Sequence, residues 1–379
     1  MSLAHLRPPK AAYLHVPFCR HRCGYCDFTL VAGRDDLVDA YLAALEIELA
    51  ALAAPQPVQT LFLGGGTPTH LDAAQLDRLL ALAHRWFALE GAAEFSVEAN
   101  PAGLSDDKLD VLARWGVNRI SLGVQSFDAE ILQTLERDHD AAIVADTIAR
   151  LQRRFSNISL DLIFGVPGQT LPLWRETIER AVALGPQHIS TYGLTFEKGT
   201  AFWSRRAKGT FAQVPEEMER SMYAAAMEDL TAAGFEQYEL SNFARPGYSC
   251  RHNETYWAGL PYFGFGPGAA RYLKGRRETN HRSVVTWLAR VRAGRSPIGD
   301  SEELAPEDRA REALVLGLRR TRGVDRDEFL AATGVAVETL TAGRLESYVD
   351  AGLVEETPAI LRLTRSGRFL ADSIIVDLL

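Results

Sequence analysis

Three of the four cysteines lie within eight positions, as Cys19, Cys23 and Cys26 with the spacing Cys-x3-Cys-x2-Cys. Three thiolates on one loop can hold three irons of a [4Fe–4S] cluster, since thiolate is the usual cluster ligand. The fourth iron then has no protein ligand and can take a small molecule. Two alternatives stay open: three ordinary buried cysteines, or a zinc site to which His15 or His21 contributes.

Six short apolar runs alternate with amphipathic helical stretches in the first half of the chain. Both faces of these runs are apolar, which is typical of buried parallel strands. Six strand–helix units in series predict an α/β fold whose parallel sheet curls towards a barrel. The runs are residues 12–18, 60–63, 94–98, 119–125, 158–164 and 188–194.

Residues that could bind a ligand lie at or just beyond several of these runs. Parallel α/β sheets carry their functional residues at the carboxyl ends of the strands. Glycines let a ligand approach the backbone, and a carboxylate accepts hydrogen bonds from hydroxyls or amines. Taken singly, each residue has an ordinary alternative, such as a tight turn, a helix cap or a surface ion pair. The residues are Gly65, Gly66, Thr67, Glu98, Gln125, Arg137 and Asp161.

The residues around the cysteine loop carry a family resemblance. Tyr25 precedes the last cysteine, and residues 13–18 read Tyr-Leu-His-Val-Pro-Phe. With the cysteine spacing, they resemble the radical S-adenosylmethionine (SAM) superfamily. The branch is the one with oxygen-independent coproporphyrinogen III dehydrogenases and HemW-type haem chaperones. Those dehydrogenases typically carry another cysteine where this chain has Phe28, so Asp27-Phe28 resembles the chaperone side.

This resemblance implies a partial six-stranded parallel (β/α) barrel that binds a [4Fe–4S] cluster through Cys19, Cys23 and Cys26, with SAM beside it. Gly65 and its neighbours would line the methionine end of SAM, and Glu98 would bind its amino or ribose side. Whether one or two SAM molecules bind stays open. The residues that match the family's SAM-binding set are Tyr13, Tyr25, Gly65, Gly66, Thr67, Glu98, Gln125, Arg137 and Asp161.

A second motif, His252-Asn253-x-x-Tyr256-Trp257, resembles one associated with haem handling in the chaperones. An imidazole nitrogen of His252 could ligate haem iron, and the two aromatic rings could stack on a porphyrin face. The alternative is a buried histidine with aromatic core neighbours. Cys250 is another candidate ligand, although a lone cysteine is more often a small buried hydrophobe.

Three functions follow from this resemblance. The first is haem binding and transfer, with the cluster and SAM in an auxiliary role; the second is radical decarboxylation of coproporphyrinogen III. The third is another radical reaction on a tetrapyrrole. Phe28, the His252 motif and the short segment before Tyr13 favour the first, because the dehydrogenases have a longer N-terminal extension. The implied partners are haem and haem-accepting proteins, with respiratory proteins as one candidate group.

One residue departs from the family pattern. Ala270 stands where relatives usually have histidine, within Gly266-Pro-Gly-Ala-Ala-Arg271. If that histidine helps to hold haem in relatives, this chain uses other ligands or binds haem less tightly. We therefore expect looser haem binding here.

The composition predicts three segments: the barrel at 1–235, a post-barrel segment with the His252 motif at 236–300, and a winged-helix-like domain at 301–379. Strand-like runs at 353–356 and 360–364 resemble a wing. Winged helices often bind DNA, but acidic residues crowd this one. We therefore interpret it as a lid or docking domain.

The overall composition narrows the class of protein. With 47% hydrophobic and 24% charged residues, the chain is typical of a globular protein. A net charge of −8 argues against nucleic-acid binding, which depends on basic surface. No apolar run reaches the roughly 18 residues of a membrane span, and residues 1–9 lack the core of a signal peptide. We predict a cytoplasmic protein and leave peripheral membrane contact open.

Overall fold

The computed structural model of the protein describes residues 3–379. Met1 and Ser2 lie outside the described residues, and they belong to the segment 1–9 that was predicted not to be a signal peptide. The architecture is α/β. Its strands are β1 Ala11–Val16, β2 Phe18–Cys19, β3 Val31–Ala32, β4 Gln56–Gly65, β5 Phe87–Ala99, β6 Arg119–Gln125, β7 Ile158–Phe164, β8 His188–Gly193, β9 Glu236–Gln237, β10 Asn242–Ala244, β11 Tyr262–Phe265, β12 Ala270–Leu273, β13 Arg276–Asn280, β14 Ile298–Glu303, β15 Val324–Asp325, β16 Val354–Glu356 and β17 Ile360–Leu363.

The described residues also form sixteen α-helices, and a helix follows most of the parallel strands. They are α1 Val38–Ala50, α2 Ala73–Trp86, α3 Asp106–Arg114, α4 Ala129–Thr134, α5 Ala141–Gln152, α6 Leu171–Ala183, α7 Ala201–Ala207, α8 Glu216–Ala232, α9 Arg251–Trp257, α10 Val284–Arg292, α11 Pro306–Leu318, α12 Arg326–Thr333, α13 Val337–Thr341, α14 Glu346–Asp350, α15 Arg365–Arg368 and α16 Ala371–Leu378.

A twelve-stranded sheet organises the described residues, in the order β14-β13-β12-β11-β1-β4-β5-β6-β7-β8-β10-β9. The six predicted runs form β1 and β4 to β8, which are parallel neighbours in sequence order. β11 adds a seventh parallel strand because its backbone pairs with the other edge of β1, Tyr13 standing opposite Gly264. The outer strands are antiparallel. The six-stranded barrel itself stays a prediction.

Burial on both faces explains why these runs form parallel strands. The face towards the helices is apolar, and Val97, Ile120 and Leu160 on it are completely or almost completely buried. The opposite face is buried too, but it carries polar side chains such as Ser96 and Ser121, where the sequence pattern had predicted apolar ones. The inner face of the sheet is therefore a polar, enclosed surface.

The chain after Pro306 forms a second packing unit. Helices α11 to α16 surround a three-stranded antiparallel sheet, β15-β17-β16, in which β16 and β17 are the predicted wing. Leu314, Leu361 and Leu378 are buried in its own core, which Leu240 also joins from the preceding segment. The three predicted domain limits stay a prediction.

Candidate cofactor site

The three cysteines lie on a loop that begins in β2. This strand pairs with β3, so that Cys19 stands opposite Ala32 at the base of the loop. The Cys26 N–H donates to the Cys23 carbonyl at 3.0 Å, which forms a tight turn between these two residues. Cys19 is buried, and the other two are half-buried; all three are free of disulfide bonds. Burial raises the pKa of Cys19 to about 11 and also raises the pKa of Cys26.

A chain of hydrogen bonds joins two of these sulfurs across the strand ends. The Thr67 hydroxyl lies 3.3 Å from Cys19 Sγ and accepts from Asn100 Nδ2 at 2.8 Å. Asn100 Oδ1 accepts from Arg137 Nη2 at 2.6 Å, and Arg137 Nη1 donates to Cys23 Sγ at 3.6 Å. Because a guanidinium beside a thiol favours the thiolate, Arg137 is suited to stabilise a negatively charged sulfur.

Among the residues that form this series of hydrogen bonds, Asn100 was missing from the predicted site. It follows Glu98 by two residues at the end of β5, and side chains two apart in an extended segment point to the same face. That spacing is the pattern that could have identified Asn100. Arg137 and Thr67, which the sequence did predict, meet only through it.

The glycine run at the end of β4 passes very close to β1. Gly65 has a φ of +102°, and a Cβ there would lie 2.2 Å from the His15 ring. A Cβ on Gly66 would lie 2.6 Å from the Val16 carbonyl oxygen, so neither position tolerates a side chain. The Gly65 N–H donates to Glu98 Oε2 at 2.9 Å. The run therefore brings β4, β1 and the Glu98 carboxylate together.

Two acidic side chains share the inner face of the sheet beside this run. Burial, helped by the nearby Asp161 charge and opposed by the Gly65 hydrogen bond, raises the pKa of Glu98 to about 7. Burial also raises the pKa of Asp161, which accepts from the Ser121 hydroxyl at 3.2 Å. Two carboxyls that repel each other's ionisation are suited to bind a cationic or hydrogen-bonding group.

The remaining predicted SAM-binding residues lie around this face. Tyr13 places its hydroxyl 3.0 Å from His15 Nδ1, and Tyr25 packs against the Phe202 ring with 6.1 Å between centroids. Gln125 ends β6 with a φ of +66°, where the pairing of β6 with β7 shifts register. Its amide nitrogen lies beside Gly123, whose carbonyl accepts from Arg137.

The donor set at the cysteine loop fits a cluster better than a zinc ion. Both nitrogens of His15 are engaged, Nδ1 with Tyr13 and Nε2 with the Thr29 carbonyl at 2.6 Å, and His21 faces Glu136 at 3.5 Å. Within residues 3–379, no three His, Cys, Asp or Glu side chains converge closely enough to hold one metal ion. Zinc draws its ligands to roughly 2.0–2.3 Å of a single ion, whereas a cluster spreads its thiolates over separate irons.

His252 lies at the base of α9, far inside the molecule. It is 1% exposed, and its ring stacks on Phe62 with 5.0 Å between centroids. Its Nδ1 pairs with the Thr60 hydroxyl at 2.9 Å and its Nε2 with the Tyr256 hydroxyl at 2.8 Å. Burial lowers its pKa to about 3. This geometry favours the core histidine that the sequence left open, since an iron would displace one of these hydrogen bonds. Cys250 is completely buried and contacts Glu94.

Comparison with known proteins gives the family. The model of the radical SAM superfamily matches residues 13–181, and that of the HemN C-terminal domain matches residues 304–370. The chain is 39% identical to the haem chaperone HemW of Bacillus subtilis over 96% of this chain and 98% of that one. The chain belongs to the HemW-like radical SAM proteins. HemW of Escherichia coli is 33% identical, over 97% of each chain.

A solved structure confirms the α/β fold class. Coproporphyrinogen III oxidase (HemN) from Escherichia coli, a radical SAM enzyme, superposes with a TM-score of 0.86. It covers 98% of this chain and 90% of its own, at 24% identity, so the likeness concerns the fold alone. Among the helices of the described residues, none combines the length and apolar character that crossing a bilayer needs.

Proposed function

We propose that this protein is a haem chaperone that binds a [4Fe–4S] cluster and SAM at the cysteine loop and passes haem to acceptor proteins in the cytoplasm. The near full-length similarity to HemW proteins carries this proposal. Phe28 supports it against the dehydrogenase alternative, because a 57% exposed phenylalanine stands where those enzymes typically carry another cysteine.

In the proposed site, Cys19, Cys23 and Cys26 hold three irons. A bound cluster supplies a redox-active iron with one open position, which can take the amino and carboxylate groups of SAM. Arg137 neutralises the charge on Cys23, and Asn100 holds both Arg137 and Thr67 in place.

The SAM side of the proposed site uses the inner face of the sheet. Glu98 accepts from the amino or ribose group of SAM, and Gly65 and Gly66 let the end of β4 pack closely against β1 beside this carboxylate. Asp161, Gln125, Tyr13 and Tyr25 complete the proposed SAM site, in chain positions that match the family's set.

Anaerobic reconstitution with iron and sulfide, followed by two assays, tests the proposal. We expect about four irons per chain, a haem-dependent Soret band at about one haem per chain, and no turnover of coproporphyrinogen III with SAM and a reductant. The variant with all three loop cysteines changed to alanine should lose the cluster, whereas Cys250→Ala should keep it. Porphyrinogen turnover would overturn the chaperone function in favour of the dehydrogenase. A chain that neither binds haem nor turns over porphyrinogen would overturn both.

A further inference from the structure

A cavity of about 930 Å³ lies between the large sheet and the C-terminal helices. Small-molecule sites measure roughly 300–1,000 Å³, so this cavity suits a large ligand. Of the residues predicted to bind the cluster or SAM, Tyr13 alone lines it. Its walls come from the segment Ala4–Arg7, from α9 and the strands after it, and from α11 and α12. The cavity is thus a separate compartment that meets the predicted SAM site at one side chain.

Flat aromatic rings dominate one wall of this cavity. Tyr256 and Trp257 of the second motif point into it, and Tyr262 packs edge-on against Tyr256 with 4.6 Å between centroids. Tyr272 on the next strand, Phe329 on α12 and Tyr13 on β1 also line the cavity. The indole N–H of Trp257 is buried and has no partner among the described residues. Such a wall favours a large planar ligand with acceptor atoms.

The charge on the walls indicates what such a ligand carries. Five arginines line the cavity, and three of them are paired: Arg277 with Glu312, Arg320 with Glu254 and Arg322 with Glu328. The other two, Arg7 and Arg309, have no carboxylate within ion-pair distance in residues 3–379. Arg309 contacts the Leu304 carbonyl at 3.3 Å. Since guanidinium groups pair best with carboxylates or phosphates, two free arginines predict a ligand with two acidic groups.

His5 is the one histidine in the cavity wall. It is half-buried, and neither ring nitrogen makes a hydrogen bond within the described residues. Burial and the neighbouring Arg309 lower the pKa of His5, so its imidazole is neutral at physiological pH. A neutral imidazole with a free nitrogen is a common iron ligand.

We propose that this cavity is the cargo site, where haem lies against Tyr256 and Trp257, its two carboxylates meet Arg7 and Arg309, and His5 ligates the iron. This inference rests on the proposed function, because it assumes that haem is the cargo. Ala270 also lines the cavity. A histidine at that position therefore adds a second imidazole to the same wall.

Titration of the protein with haem tests the site. The Soret band and tryptophan fluorescence monitor the titration. Ala313→Phe fills the cavity from α11, and Arg309→Gln removes one free cation; each should weaken haem binding about tenfold or more. Matched substitutions on exposed residues, Ala145→Phe on α5 and Arg153→Gln beyond it, should change affinity by less than about twofold. His5→Ala should shift the Soret band, and Ala270→His should tighten binding. Thermal unfolding of every variant checks that it is folded.

The outcomes separate the site from the function. Haem binding by the parent protein, with unchanged affinity in both folded Ala313→Phe and Arg309→Gln, would place haem elsewhere. That result overturns the cargo site and leaves the chaperone function standing. An unchanged Soret band in His5→Ala would overturn His5 as the ligand. If the parent protein binds no haem, the cargo site and the proposed function both fail.

Discussion

At the residue scale, the cysteine loop depends on side chains that come from three separate segments of the chain. Thr67 follows β4, Asn100 follows β5, and Arg137 follows α4, yet their hydrogen bonds run in one unbroken chain from Cys19 to Cys23. Asn100 both donates to Thr67 and accepts from Arg137, so it holds the two in one orientation. The end of β5 also carries Glu98, whose protonation can be tested experimentally.

The raised pKa of Glu98 predicts a pH-dependent stability in the protein without cluster or SAM. Because the folded state holds the Glu98 proton up to about pH 7 and the unfolded state releases it near 4.5, the contribution of Glu98 to stability is largest at low pH and falls as pH rises between these values. With allowance for partial exposure, the loss is about 2 kcal/mol. Glu98→Gln should remove this part of the slope, measured by urea unfolding at pH 5 and pH 7.5.

A matched variant at an exposed glutamate controls this experiment. Glu179 lies on the outer surface of α6, and Glu179→Gln should keep the parent slope. An identical slope in the parent protein and Glu98→Gln would show that the Glu98 carboxyl is ionised in the folded state across this range.

At the element scale, one glutamate docks the helix of the second motif. Glu94 of β5 accepts from the backbone N–H groups of Arg251 and His252 at 3.0 and 3.1 Å, and so binds the N-terminus of α9. A carboxylate there satisfies two free donors of the first turn. The helix then turns His252 inward to Thr60, while Tyr256 and Trp257 reach the cavity.

Removal of this carboxylate should destabilise the protein. Glu94→Ala leaves the buried N–H of His252 and the part-buried N–H of Arg251 without an acceptor, which should lower the free energy of unfolding by about 2–3 kcal/mol. Glu90→Ala on the same strand removes an exposed partner of Lys10 and should cost less than about 1 kcal/mol. Urea unfolding compares the two, and equal effects would contradict the docking role of Glu94.

At the scale of the whole molecule, the two proposed ligand sites use different parts of one sheet. The cysteine loop and the strand ends form one, and the C-terminal helices close the other over α9 and β11. The C-terminal unit, predicted as a lid or docking domain, supplies Arg309, Ala313 and Phe329 to the cavity. Tyr13 on β1 lines the cavity and is also one of the residues proposed to bind SAM.

This division predicts two separate patterns of backbone hydrogen exchange. Haem should slow exchange in α9 and α11, whereas SAM added to reconstituted protein should slow it around Gly65, Thr67 and Asn100. At a ligand concentration ten times Kd, slowing of about tenfold is expected where local opening breaks the site. Mass-spectrometric exchange measures both patterns. If haem slowed exchange only in residues 19–26, haem and SAM would not occupy the two separate sites proposed here.

The sequence by itself determined the six parallel strands β1 and β4 to β8, the cysteine loop and the positions of most of the strand-end residues. These follow from local properties: the burial of apolar runs, the spacing of three thiols, and the position of glycines and carboxylates just beyond each run. Both predicted strands of the wing were likewise found where the pattern put them. Residue spacing and hydrophobic periodicity suffice for such features, because each depends on neighbours a few residues away.

Only the tertiary structure decided which of these side chains meet. Asn100 joins Thr67 and Arg137 across 33 and 37 residues, and His252 finds its partner Thr60 across 192. The cavity likewise combines residues 4–7 with helices some 300 positions later. A periodic pattern shows that a polar side chain is buried, but it does not show which group forms a hydrogen bond with that side chain. The hydrogen-bond partner depends on how distant segments pack. For this reason the motif histidine resembled a ligand in the sequence and lies hydrogen-bonded in the core of the folded protein.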